Sequence, residues 1–221
     1  MRKFVKSIRT SKYIIGCTGR TTYIYDLNEQ LILKFQDIPS GDTPYVSKDE
    51  KYLCVKATGK NIGFYDLDSL TLIKKITIKK DDSQDLPGAF MDDGRFVNIE
   101  YTKALLTDIV IYENKTFEEI KRYSFEEKFV FTDLNIINDV ILLMGFKRVD
   151  NGIQHMDFKL ENDILTYKEI SKEEYRANSQ AARRFEENLK KDIEAAKSLG
   201  IDLSGIINLL NWESGDENET I

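Results

Sequence analysis

Thr18-Gly19-Arg20-Thr21-Thr22-Tyr23-Ile24-Tyr25-Asp26-Leu27 returns forty residues on as Thr58-Gly59-Lys60-Asn61-Ile62-Gly63-Phe64-Tyr65-Asp66-Leu67. The two copies have the same length, and an apolar stretch precedes each, Tyr13-Ile14-Ile15-Gly16-Cys17 and Tyr52-Leu53-Cys54-Val55. Those stretches stand one residue out of step, a difference that a β-bulge accommodates. Self-similarity at a fixed spacing marks a repeat architecture, and it constrains the fold before any single motif does.

A second pattern frames the first. Tyr45-Val46-Ser47-Lys48-Asp49-Glu50-Lys51-Tyr52-Leu53 parallels Ala89-Phe90-Met91-Asp92-Asp93-Gly94-Arg95-Phe96-Val97. Each reads as a strand, a tight turn and a strand that begins with an aromatic, because Asp and Gly tolerate or bond to a tight backbone. Asp93-Gly94 is itself a two-residue hairpin signal. Further strands are expected over Phe96–Thr102, Asp108–Tyr112, Phe117–Phe125, Val140–Phe146, Ile153–Leu160 and Ile164–Ile170. Four units follow, at 3–38, 43–80, 88–126 and 129–170, with Tyr25, Tyr65, Tyr112 and Phe158 at matching places on the third strand of each. Aromatic residues there pack well between stacked sheets. Units of about 40–45 residues with four strands each are the signature of propeller blades. The expected fold is mainly β, with four four-stranded antiparallel blades of a β-propeller-like domain over 1–170. A C-terminal α-helical extension over 171–212 and an acidic disordered tail over 213–221 are expected to follow.

The stretches Val46-Ser47-Lys48-Asp49-Glu50-Lys51-Tyr52-Leu53 and Ile62-Gly63-Phe64-Tyr65-Asp66-Leu67 resemble blades of WD-repeat and TolB-like β-propellers. The resemblance spans about residues 3–170, plainest in the second blade and faintest in the fourth. Tyr25-Asp26 and Tyr65-Asp66 stand where strict WD repeats have Trp-Asp, and no Gly-His pair precedes a blade. The resemblance therefore implies the blade fold and not the hydrogen-bond network of strict WD proteins. It also implies rings of six to eight blades, so four blades leave three solutions: a compact ring, two chains completing one eight-blade ring, or an open arc capped by another element. Uncovered end blades present unpaired edges and apolar faces, which must be covered.

Composition shifts at Ser171. Ser171-Lys172-Glu173-Glu174 reads as a capping box that opens a helix over Lys172–Leu199, with Gly200 as its stop. Ala182, Phe185, Leu189, Ile193 and Ala196 fall on one face, opposite Arg183, Glu187, Lys190, Lys191 and Glu194. Asp202 opens a second, short helix whose Leu203, Ile206, Ile207, Leu209, Leu210 and Trp212 are apolar around most of its circumference, the pattern of a buried helix. These helices either pack on their own propeller or dock on another chain, with Phe185, Leu189, Ile193, Ile206, Leu210 and Trp212 as the contact set. Trp212 is the natural anchor, because Trp is enriched at binding hot spots.

The 221 residues carry 32 Lys and Arg against 38 Asp and Glu, a formal charge of −6, which argues against a nucleic-acid partner. No apolar run approaches the ~20 residues that span a bilayer. Met1-Arg2-Lys3-Phe4-Val5-Lys6 is charged without a following apolar stretch, so no secretory signal is read there and a cytoplasmic protein is expected. Cys17 and Cys54 read as small apolar core thiols, and the single His155 cannot anchor a multi-histidine metal site. Asp81-Asp82-Ser83-Gln84-Asp85 lacks the spacing, the Gly and the terminal Glu of a calcium loop, so it reads as a solvated turn. No phosphate loop or nucleophile elbow is present, and neither a cofactor nor a metal is expected.

One charge pattern stands out. In a propeller the turns between second and third strands share one end, and here they bring Arg20, Lys60, Lys103 and Lys147-Arg148. The turns between first and second strands lie at the opposite end with Asp49-Glu50, Asp92-Asp93 and Asp139, while the loops between blades return Asp42, Asp81, Asp82 and Asp85 to the basic end. Arg20, Lys60, Lys103 and Arg148 are thus candidates for an anion or an acidic peptide. The expected function is a non-enzymatic scaffold that binds a protein partner through a propeller face, the helices, or both. An enzyme or ligand-binding propeller with a site at the ring axis is one alternative. A subunit whose self-association completes a ring, as a homodimer, is another.

Overall fold

In the computed structural model residues 3–78, 86–101, 106–150 and 152–180 are described, with isolated residues between Arg183 and Leu199. Among them sixteen strands form four antiparallel sheets, each a plain up-and-down meander. The first sheet comprises β1 (Lys6–Arg9), β2 (Ile14–Cys17), β3 (Thr22–Tyr25) and β4 (Leu31–Phe35). The second comprises β5 (Gly41–Val46), β6 (Tyr52–Ala57), β7 (Asn61–Asp66) and β8 (Thr71–Thr77), and the third β9 (Gly88–Phe90), β10 (Phe96–Tyr101), β11 (Thr107–Tyr112) and β12 (Glu119–Tyr123). The fourth holds β13 (Phe129–Ile137), β14 (Val140–Val149), β15 (Gly152–Glu161) and β16 (Ile164–Glu169). The chain is therefore mainly β, with the four four-stranded sheets that the repeat implies.

The inner strands β2, β3, β6, β7, β10 and β11 are buried on both faces, which is why they read as nearly continuous apolar runs rather than alternating ones. The acid after each third-strand tyrosine closes the next turn. Asp26 Oδ1 accepts from the Asn28 and Gln30 amides at 2.9 and 2.8 Å, Asp66 Oδ1 from the Ser69 amide at 2.7 Å, and Glu113 Oε2 from the Thr116 amide at 3.0 Å. The ladder to the fourth strand slips by one residue beside each tyrosine, between Ile24 and Tyr25, Phe64 and Tyr65, and Ile111 and Tyr112. The repeated Tyr-acid pair is thus a buried ring plus a capped turn.

Several expectations are corrected. The one-residue offset between the first two copies sits in a turn and not in a strand: Cys17 pairs with Thr22, whereas Lys56 pairs with Ile62, one residue further round. Asp93-Gly94 does not form a two-residue hairpin. The Met91 amide donates to the Arg95 carbonyl around a three-residue loop, with Gly94 at φ 87° in the position that favours glycine. The two-residue turns lie in the fourth sheet instead, at Asn138-Asp139 (φ 50° and 62°) and Asn162-Asp163 (φ 49° and 68°). There β14 and β15 run ten residues each, so Phe158 pairs with Leu143 and Tyr167 in mid-strand rather than at the strand end.

Three core clusters join neighbouring sheets: Ile15, Cys17, Leu53 and Val55 between the first and second, Cys54, Phe64, Phe96 and Tyr112 between the second and third, and Ile111, Phe131, Leu143 and Phe158 between the third and fourth. None of the described clusters joins the fourth sheet to the first. On the face of the first sheet turned away from the second, Phe4 packs beside Ile14, Tyr23 and Tyr25. On the fourth sheet the Tyr175 ring stacks on His155 at 4.5 Å and 17°, and its hydroxyl lies 2.8 Å from that of Thr132.

Tyr175 belongs to α1 (Lys172–Asn178), whose start is capped as expected, the Glu174 amide donating to Ser171 Oγ at 3.0 Å. The single helix expected over Lys172–Leu199 is interrupted: Ser179 is buried and non-helical, and helical residues resume at Gln180. Asn178 and Ser179 both compete with the helix for backbone bonds, which accounts for a break at that point. The chain divides into two compact units, Met1–Tyr175 and Arg176–Ile221. In the second, Ile193 is half-buried, while Arg183, Glu187, Lys191 and Glu194 are exposed. Phe185, Leu189, Ile206, Leu210 and Trp212 lie outside the described residues, as does the 213–221 tail.

Candidate functional site

Arg20 is exposed on the β2–β3 turn and Lys60 is half-buried on the β6–β7 turn. Both turns rest on the loop that enters the second sheet. The Gly19 amide donates to the Gly41 carbonyl at 3.2 Å, and the Thr58 amide to the Ser40 carbonyl at 3.3 Å. Asp42, at the start of β5 beside Gly41, accepts at Oδ1 from Thr43 Oγ1 at 2.7 Å, so an acid accompanies the two cations. Arg148 stands apart. It lies within β14 rather than on a turn, pairs with Ile153, and its amide donates to the Lys128 carbonyl at 2.9 Å. No described contact joins it to the other two, and Lys103 lies outside the described residues.

Beneath this end runs a buried polar seam that sequence reasoning missed. Lys56 is 1% exposed one residue before the end of β6, facing the third sheet. Its ammonium donates to Asn98 Oδ1, to the Leu86 carbonyl at 2.6 Å and to the Pro87 carbonyl at 3.3 Å. Asn98 Nδ2 donates to Glu100 Oε1 at 3.0 Å, and the Tyr112 hydroxyl donates to the same oxygen at 2.9 Å. Arg122 then reaches Glu100 at 3.0 Å and Asp108 at 3.1 Å while holding Glu119 at 2.8 Å. Glu119, then Glu100, push the Arg122 guanidinium well above its ordinary value against burial. Burial, reinforced by Glu100, pushes the Tyr112 phenol up. A buried charge is tolerated only when paired and bonded, and this seam satisfies its charges internally. The legible signal was Asn98 and Glu100 two apart, which places two polar side chains on one face of a buried strand.

Both thiols are fully buried; burial pushes Cys17 up to about 11 and Cys54 well above the ordinary range. Each thiol faces the following sheet, but Cys17 pairs with Thr22 at the start of β3 and Cys54 with Phe64 in the middle of β7, so the two stand at different places along their strands. Among the described residues no group of three or more His, Cys, Asp or Glu side chains is arranged to hold a metal ion. No described helix is long and apolar enough to cross a membrane.

Comparison with solved structures places this architecture among propellers. The chain is similar to hydrazine synthase of Kuenenia stuttgartiensis, with a TM-score of 0.60 and 12% identity over 73% of this chain and 51% of that one. It is similar to the WD40 domain of Neurospora crassa Pan2, at TM-score 0.54 and 14% identity over 76% and 51%. The WD40 domain of Toxoplasma gondii coronin follows, at 0.53 and 11% over 75% and 44%. At such identities the likeness is one of fold, and it includes WD40 domains and a named enzyme alike. The chain spans about half the length of the solved structures it matches. No family model matches the chain, and no curated protein matches it.

Proposed function

We propose that this chain is a non-enzymatic protein-interaction scaffold acting in the cytoplasm. It engages a protein partner through the end that carries Arg20, Lys60, Lys103 and Arg148, through the helical extension over 171–212 with Trp212 as anchor, or through both. The observation that carries this reading is the pair of cationic turns at Arg20 and Lys60, set on consecutive sheets and tied to one loop, Ser40-Gly41. Cations repeated on one end of a rigid array attract an acidic segment far better than either does alone. Similarity to WD40 domains agrees with it. The test is affinity capture from native lysate by the full chain beside R20E/K60E and Trp212→Ala variants of the same length. Loss of a partner in one variant assigns the surface; equal capture by all three removes both surfaces from the reading.

A second reading, in which two copies complete one ring, is favoured by one observation: the described core clusters join the sheets in a row and none returns from the fourth to the first. Light scattering decides it, because a ring shared by two chains is an obligate dimer and a scaffold of this kind is a monomer.

A further inference from the structure

We propose that the cleft between the third and fourth sheets is a docking site for a partner segment that carries a bulky apolar side chain next to a lysine or arginine. The proposal rests on the interaction-scaffold reading and names a surface which that reading does not use.

The cleft holds about 310 Å³. That is at the lower bound of ligand pockets, ~300 Å³, so it suits one or two side chains rather than a whole cofactor. Its floor is the core itself: Met91, Ile111, Ile141 and Leu160 are buried members of the cluster between these sheets, and all four line the opening. Ile120 forms a wall from the edge strand β12 and is 52% exposed, an apolar side chain left in water beside an apolar floor. Covering it on docking adds favourable burial.

Charge selects the occupant. Two cations stand at the mouth, and both are committed: Arg95 Nε pairs with Asp93 at 2.6 Å, and Lys121 pairs with Asp163. Asp163 also accepts from the Tyr123 hydroxyl, and the Lys121 ammonium lies 5.1 Å from the centre of the Tyr123 ring. This clasp ties β12 to the β15–β16 turn and holds one side of the cleft in place. The other side is the β13–β14 turn, where Asp139 is exposed and, among the described residues, makes neither an ion pair nor a side-chain hydrogen bond. The mouth therefore offers one uncommitted carboxylate above an apolar floor, so the complementary ligand is positive at one end and apolar at the other. Both turns have two residues at positive φ, a tight geometry that presents Asp139 and Asp163 without prior ordering.

The experiment is a peptide-display selection against the immobilised full chain, followed by calorimetry with the peptides recovered. Peptides with Leu, Phe, Met or Trp beside Lys or Arg are expected, with affinity falling at least ten-fold in Asp139→Asn and in Ile120→Lys. Asn tolerates the left-handed backbone of position 139, and position 120 is exposed on an edge strand, so neither change threatens the fold. The R20E/K60E variant is expected to bind these peptides as the parent does. Peptides that lose affinity in R20E/K60E but not in Asp139→Asn overturn the cleft and leave the scaffold reading standing. A dimer of the parent that Ile120→Lys dissolves gives the cleft to a second copy and also overturns the proposal. Recovery of no peptide counts against both readings.

Discussion

The ammonium of Lys56 sits on the side-chain oxygen of Asn98, with both residues sealed from solvent between the second and third sheets. Lys56, one residue before the end of β6, pairs with Ile62 as Cys17 at the end of β2 pairs with Thr22. The small thiol therefore gives way to a long cation at one seam, and the carbonyls of Leu86 and Pro87, on the approach to β9, turn toward it. Lys56 thereby fixes how the chain enters the third sheet.

Replacing Lys56 by Met keeps most of the volume and removes the donor. The carbonyls of Leu86 and Pro87 and the amide of Asn98 then lose a charged partner in a dry seam. Breaking a buried charged interaction from one side costs about 3 kcal/mol or more. Urea unfolding of Lys56→Met is expected to show a midpoint lowered accordingly, with the slope unchanged. An unaltered midpoint would mean that the seam does not depend on the cation.

Acid sensitivity follows from the turns. Hydrogen bonds from Ser11 hold Glu50 below the ordinary carboxylate range, those from Thr116 do the same for Glu113, those from Ser69 for Asp66, and those from Lys121 and Tyr123 for Asp163. Each group is a stronger acid folded than unfolded. Each therefore stabilises the fold in full above the ordinary value near 4, and loses that contribution as pH falls through the lower folded value. The urea midpoint is expected to stay level from about pH 7 to 5 and to fall below about pH 4.5, with a shallower fall in the Glu50→Gln, Asp66→Asn double variant. Parallel acid limbs for parent and variant would contradict this.

Thiol accessibility checks the reading of both cysteines as core thiols. With Cys17 pushed up to about 11 by burial, only about one molecule in a thousand carries that thiolate at pH 8. Burial raises the Cys54 thiol well above its ordinary range as well. An aromatic disulfide reagent at pH 8 is expected to find neither thiol within minutes in the native chain, and both after denaturation in urea. Fast reaction of one equivalent in the native chain would reopen a redox or nucleophilic role.

The fold was legible where the pattern repeats, and the reason is physical. Tyr25-Asp26 and Tyr65-Asp66 each bury a ring and cap a turn, so both residues are constrained and the spacing survives. The fourth sheet was harder to read, because its turns use Asn138-Asp139 and Asn162-Asp163 with no glycine to mark the positive φ. The polar seam escaped for a different reason. Lysine at position 56 reads as the end of a strand, and only the neighbouring sheet shows that its head is bonded inside. The cleft between third and fourth sheets joins residues from 91 to 163, and no local window holds such a set.

Phe4 and Gly16 give a test of how the first sheet is covered. A Cβ at position 16 would lie 2.5 Å from the Phe4 ring, and Tyr23 and Tyr25 flank that ring at 6.2 and 6.1 Å. The glycine thus makes room for a phenylalanine that seals the sheet's outer face. Phe4→Ala removes the seal and is expected to cost about 2 kcal/mol, less than the ~3–5 of a fully buried Phe because the ring is only half-buried. Gly16→Ala is expected to cost a similar amount by evicting the same ring. Made together, the two should not add: once the ring is gone the new methyl meets nothing, and a side chain in a strand is favoured over glycine. The double variant is therefore expected to be as stable as Phe4→Ala or slightly more so. Additive losses by urea unfolding would show that Phe4 does not depend on the space at Gly16, and that some other group covers this face.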